Sequence, residues 1–121
     1  MITEDYVSFE TAKLLKEKGF DGEVLNYFNA DTRFSTTQTA RNWNRVKAFH
    51  SAPTLQMAMK WLREVHNINI EIITYWTKHK SMVYGNRIVR NNDVLKEIDV
   101  AYISYEQACE VAIKYCLENL I

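Results

Sequence analysis

The chain has 121 residues, 47% of them hydrophobic and 25% charged, which is ordinary globular composition and sets aside disordered and collagen-like classes. Two cysteines are too few for a secreted disulfide framework, and three Gly with a single Pro disfavour a loop-dominated scaffold. Fifteen Lys and Arg balance fifteen Asp and Glu, so net charge alone points to neither an acidic nor a basic partner. At this length one domain over 1–121 is the expectation.

The first expected element is a helix over about Phe9–Lys18, with Ser8 as its cap. Gly19 suits the left-handed position after the last turn. Phe20 would then reach back to Leu15 in a Schellman ending, and Asp21-Gly22 continues the turn. Val24–Phe28 and Arg33–Thr37, separated by Asn29-Ala30-Asp31-Thr32, read as a hairpin. Arg41–Asn44 is polar and reads as loop, and Val46–Phe49 as a short strand.

A second helix is expected over about Pro53–His66, with Pro53 in its first turn and Ser51 or Thr54 as cap. Leu55, Ala58, Met59, Leu62 and Val65 form its apolar stripe, widened by Met57 and Trp61. Ile68, Ile70 and Ile72 alternate with Asn69 and Glu71, and Ile73, Tyr75 and Trp76 prolong this strand. Thr77–Ser81 reads as the loop of a second hairpin, and Met82–Val89 as its returning strand, with Gly85 a candidate bulge.

The last helix runs over about Tyr105–Asn119. Ser104 and Gln107 stand in capping-box spacing. Tyr105, Ala108, Cys109, Ala112, Ile113, Cys116, Leu117 and Leu120 make its apolar stripe, leaving Glu106, Glu110, Lys114 and Glu118 toward water. The order α-β-β-α-β-β-α predicts an α+β fold in which an antiparallel sheet of about four strands is packed with three helices.

Tyr6-Val7-Ser8-Phe9-Glu10-Thr11-Ala12 parallels Tyr102-Ile103-Ser104-Tyr105-Glu106-Gln107-Ala108. The match stops after Ala12, so two solutions to one capping problem are expected rather than a duplicated unit.

Three segments carry a family resemblance. They are Ala52-Pro53-Thr54-Leu55 through Trp61-Leu62-Arg63-Glu64, Tyr105-Glu106-Gln107-Ala108 through Ile121, and Tyr6-Val7-Ser8-Phe9-Glu10 through Gly19-Phe20. Together they resemble a group of small uncharacterised proteins encoded in prophages and mobile elements of gut Bacteroides-type bacteria. The resemblance covers the three helices and does not extend to 24–50 or 68–100. It implies a genomic setting and carries over no catalytic residue.

Chemistry-bearing patterns are sparse. Cys109 and Cys116 lie seven apart on one helix, about 10 Å at 1.5 Å per residue, too far to bridge each other, and read as buried small residues. His50, His66 and His79 stand near three different element ends, without metal or triad spacing. His66, closing the second helix, suits an imidazolium at a helix C-terminus. No phosphate loop, nucleophile elbow, HExxH or CxxC is present. No enzymatic activity, no cofactor and no bound metal is therefore expected. The acidic start, without an apolar leader, and the lack of an apolar run long enough to span a bilayer suggest a cytoplasmic protein with no membrane partner.

Charge distribution is more informative. Residues 1–32 hold three Lys and seven acids, a net of −4; residues 33–90 hold ten Lys and Arg and two acids, +8; residues 91–121 hold two Lys and six acids, −4. The basic centre also contains all three Trp and all three His. Two readings follow. In the leading one the acidic ends neutralise the centre, within a chain or across a dimer, and the protein acts by binding another protein, its own copy included. In the alternative, Lys78, Lys80, Arg87 and Arg90 bind nucleic acid, with Trp76 and Tyr84 stacking on bases.

Overall fold

A computed structural model describes the backbone of residues 1–121 and every side chain except those of residues 98–100. The fold is α+β, with helices α1 (Phe9–Glu17), α2 (Leu55–His66) and α3 (Tyr105–Asn119). Strands β1 (Val24–Phe28), β2 (Phe34–Arg41) and β3 (His50–Ser51) form one antiparallel sheet in the order β2-β1-β3. Strands β4 (Asn69–Trp76), β5 (Met82–Arg90) and β6 (Asp93–Tyr102) form a second, in the order β4-β5-β6. Six strands in two sheets thus replace the single sheet of about four.

Local chemistry explains most of the element ends. Ser8, Thr54 and Ser104 cap the three helices, each side chain accepting the N–H three residues on. Gly19, at φ 89°, closes α1: Phe20 N donates to Leu15 O at 2.9 Å and Gly19 N to Lys16 O at 3.2 Å, the paired bonds of a Schellman ending. Pro53 lies ahead of the Thr54 cap rather than in the first turn of α2, and its carbonyl accepts from Val7 N.

The strand expected over Val46–Phe49 moves to His50–Ser51. The carbonyls of Val46, Lys47 and Phe49 are turned instead onto the Lys16 ammonium, at 3.0, 3.0 and 2.6 Å. An ammonium has three donors, and here each meets a backbone oxygen that a ladder would otherwise use. The unanticipated strand β6 returns from β5 through Asn91-Asn92, at φ 52° and 68°, with Arg90 paired to Asp93. Two central residues at positive φ make the primed hairpin turn, a signal present in the sequence. Gly85 is not itself the bulge: between the pairs Tyr84–Tyr102 and Asn86–Ile98 the extra residues belong to β6. Its missing side chain makes room for Tyr75, since a Cβ there would lie 2.9 Å from that ring.

One hydrophobic cluster joins all the helices. Leu15, Leu62, Ile68, Ile88, Ile113 and Leu117 are fully buried within it. Helix α3 lies on β4, β5 and β6 and touches α1 and α2, while α1 touches β3. Asn86, buried on β5, donates to Ala108 O at 3.1 Å and so fixes the start of α3 on the sheet. Two residues assigned to the α2 stripe stand outside the core, Val65 at 59% exposure and Met57 at 40%. Val65 precedes the αL cap at Asn67, and it is Ile68, just after that cap, that re-enters the core.

Cys109 and Cys116 are free and fully buried. Burial, the largest influence on each, pushes the thiols up to about 11 and about 12. A thiol harder to ionise folded than unfolded contributes stability that is complete below the unfolded pKa. That stability is lost as pH rises from there through the folded values. Both cysteines should therefore resist an aromatic disulfide reagent in native protein and react in denatured protein. Stability should decline in alkali starting near the ordinary thiol range. Rapid native labelling would contradict this packing.

Candidate functional site

The β4–β5 ladder runs without interruption from Asn69–Val89 to Trp76–Met82, whereas β6 pairs with β5 only as far as Tyr84–Tyr102. The last two rungs, Tyr75–Val83 and Trp76–Met82, therefore extend as a two-stranded arm beyond the sheet's third strand. A five-residue loop closes it: Thr77 N donates to Ser81 O, Lys80 N to Thr77 O, and Lys80 sits at φ 59°. Burial falls away along the arm. Ile70 and Ile88 are in the core, but Trp76 is 69% exposed, and Tyr75 and Met82 are also exposed.

The structure divides the six residues proposed as a nucleic-acid face. Trp76, Lys78 and Lys80 are all exposed at the end of the arm, with His79 between the two lysines in its loop. Tyr84 lies below them and packs edge-on against Tyr105 of α3, ring centroids 6.1 Å apart. Strand alternation sends Arg87 to the opposite face, where its Nε donates to Glu71 Oε2 at 2.7 Å across the ladder. Arg90 lies at the far end of β5, half-buried, and reaches Leu120 O near the end of α3 at 3.4 Å. Only the first three are both exposed and at the end of the arm.

Sequence reasoning missed a second basic and aromatic cluster. Tyr27, Trp43 and Phe49 stack with centroids 4.4–6.3 Å apart, and Trp43 Nε1 donates to Val24 O at 2.8 Å. Trp43 lines a cleft of about 470 Å³ with Arg41, Arg45, Asp21 and Glu23. Its signal lay in the Arg41–Lys47 run, but the two acids arrive from another segment, so the cleft carries mixed charge.

The histidines do not converge. His50 packs edge-on against Phe9 at 5.3 Å, and His66 against Trp61 at 4.7 Å. Burial, then neighbouring cations, hold both imidazoles below the ordinary histidine value: Lys16 and Lys13 for His50, Arg90 for His66. The imidazolium expected at the end of α2 is thus disfavoured, because burial and Arg90 outweigh the helix terminus there. Among the described residues no group of three or more His, Cys, Asp and Glu is placed to hold a metal ion, and no helix is long and apolar enough to cross a membrane.

Ion pairing is the decisive electrostatic observation. Among the described residues the pairs are Lys60–Glu64, Arg87–Glu71 and Lys114–Glu10. The first two join residues of the basic centre to each other, and the third joins the two acidic ends. None links the centre to the ends. Lys78 and Lys80 at the arm, and Glu4, Asp5 and Glu23 on another part of the surface, thus keep their charge exposed to solvent. No protein-family model, curated protein or solved structure matches this chain.

Proposed function

We propose that the chain is a cytoplasmic, non-catalytic accessory protein of a phage or mobile element that works by binding another protein through the end of the β4–β5 arm. One observation carries this reading: Tyr75, Trp76 and Met82 are held out on a paired but uncovered ladder. Exposed aromatic and Met side chains on a rigid element are typical anchors of protein contacts. The non-catalytic part draws support from the cysteines, protonated in the core, and from two imidazoles committed to ring contacts. The genomic setting rests on the helix-borne resemblance described above.

A photo-cross-linking amino acid in place of Trp76 tests the arm directly. The expected product is a protein adduct that survives nuclease treatment; a nuclease-sensitive adduct, or none, would remove the proposal. The nucleic-acid reading draws on Lys78 and Lys80 standing beside Trp76. It requires an affinity that falls steeply with salt by counterion release and a slope that flattens in Lys78→Gln/Lys80→Gln protein. In an anisotropy titration with duplex and single-stranded probes, the expected result is no such binding at physiological salt.

A further inference from the structure

We infer that the protein bound by the arm is a second copy of this chain, and that the arm seats in a cleft between Tyr6, Leu25, Ala40 and Met57. This rests on the arm reading above and adds the partner and its receiving surface.

The cleft has a volume of about 240 Å³. Helix α2 begins beside it, Tyr6 bridges to Thr54, and β1 and β2 supply Leu25 and Ala40. Tyr6, Leu25 and Met57 are 39%, 45% and 40% exposed, so three large apolar side chains border one recess and each keeps part of its surface in solvent, Tyr6 with one side on the Phe34 ring. Trp76 is more exposed still, at 69%, so the arm does not fill the cleft of its own chain.

Charge selects between possible occupants. Glu23 lines the cleft itself, and Glu4, Asp5 and Glu106 line an adjoining recess with Gln56 and Tyr105. The arm carries Lys78 and Lys80, and no acid occurs between Glu71 and Asp93. Glu23 is shared with the mixed-charge cleft of Arg41 and Arg45, so the acidic side of the cleft is the one toward Glu4, Asp5 and Glu106. That side matches an apolar arm with a basic tip on the same polypeptide. The absence of ion pairs between the basic centre and the acidic ends, among the described residues, leaves both partners available to another molecule. Zero net charge means two copies approach without overall repulsion while these local fields attract. Arm and cleft are different surfaces, so the contact closes into a two-fold dimer when it is made twice, each copy's arm in the other's cleft.

Sedimentation velocity on the full chain tests this. Wild-type protein is expected to sediment above monomer mass, and the association to weaken as salt shortens the screening length to about 3 Å at 1 M. Trp76→Ala should weaken it about thirtyfold, the scale of an aromatic hot spot. Lys78→Glu/Lys80→Glu and Glu4→Lys/Asp5→Lys/Glu23→Lys should each be monomeric alone, and mixing the two should restore association, because every arm then meets a cleft of opposite charge. These substitutions are on exposed side chains, and circular dichroism checks that each variant folds. Should a charge variant fail to fold, Trp76→Ala decides instead. A monomeric wild type, an unchanged association in Trp76→Ala, or folded variants that do not recombine would overturn the inference. If the wild type is monomeric while the position-76 cross-linker still captures a protein of another mass, the self-pairing fails and the arm reading survives.

Discussion

Leu117→Ala is expected to lower the unfolding free energy by about 2–5 kcal/mol, read as a shift of the urea midpoint with an unchanged slope. Leu117 has no exposed surface and sits with Ile113 and Cys116 in the shared cluster. Truncation removes three buried carbons and leaves a void that a helix clamped on a sheet cannot readily close. The clamp is specific: Asn86 holds Ala108 O at one end of α3, and Arg90 reaches Leu120 O at the other. Val65→Ala makes the control, since at 59% exposure it should change stability by only about 0.5 kcal/mol or less. A cost below about 1 kcal/mol at Leu117 would mean that α3 does not pack as described.

Glu110→Ala should lose about 1–3 kcal/mol, much more than an ordinary exposed glutamate on a helix. One carboxylate oxygen, Oε1, accepts from Ser8 N at 3.1 Å, Ser8 Oγ at 2.5 Å and Thr11 Oγ1 at 2.6 Å. A carboxylate from α3 thus sits on the cap of α1, where the positive end of the helix favours negative charge. Lys114, one turn on, pairs with Glu10 at 2.8 Å and reinforces the same helix contact. Ser8→Ala removes the cap and part of this cluster together. A double-mutant cycle between Ser8→Ala and Glu110→Ala should therefore give a coupling of about 0.5–3 kcal/mol. Additive losses would show that the two residues act independently.

The cap cluster also bears on the paired segments Tyr6–Ala12 and Tyr102–Ala108. Each holds at its third position the serine that caps its helix, as local convergence requires. Their surroundings differ: Tyr6 makes a single bridge to Thr54, while Tyr102 ends a ten-residue strand. Cap chemistry is shared; supersecondary context is not.

What the sequence determined by itself lies within a few residues of its cause. Ser8, Thr54 and Ser104 begin the three helices because a side-chain oxygen reaches the N–H three residues on. Gly19 ends α1 because it adopts positive φ without strain. The apolar stripe of α3 matches its buried face from Ala108 to Leu117, whereas Tyr105 is exposed and Leu120 only partly buried at the two ends. The second hairpin was legible from alternation and loop composition, and Asn91-Asn92 would have revealed the third turn. The tertiary structure alone decided where long polar side chains end. Glu110 leaves the water side to cap another helix, Lys16 gathers three carbonyls from a loop some thirty residues away, and Arg87 and Arg90 part to opposite faces of one strand. Such side chains reach several ångströms, and the partners that satisfy them are supplied by chain packing rather than by sequence neighbours. For the same reason charge counting located a basic centre, but only strand pairing showed that Trp76, Lys78 and Lys80 stand together on an arm its own chain leaves uncovered.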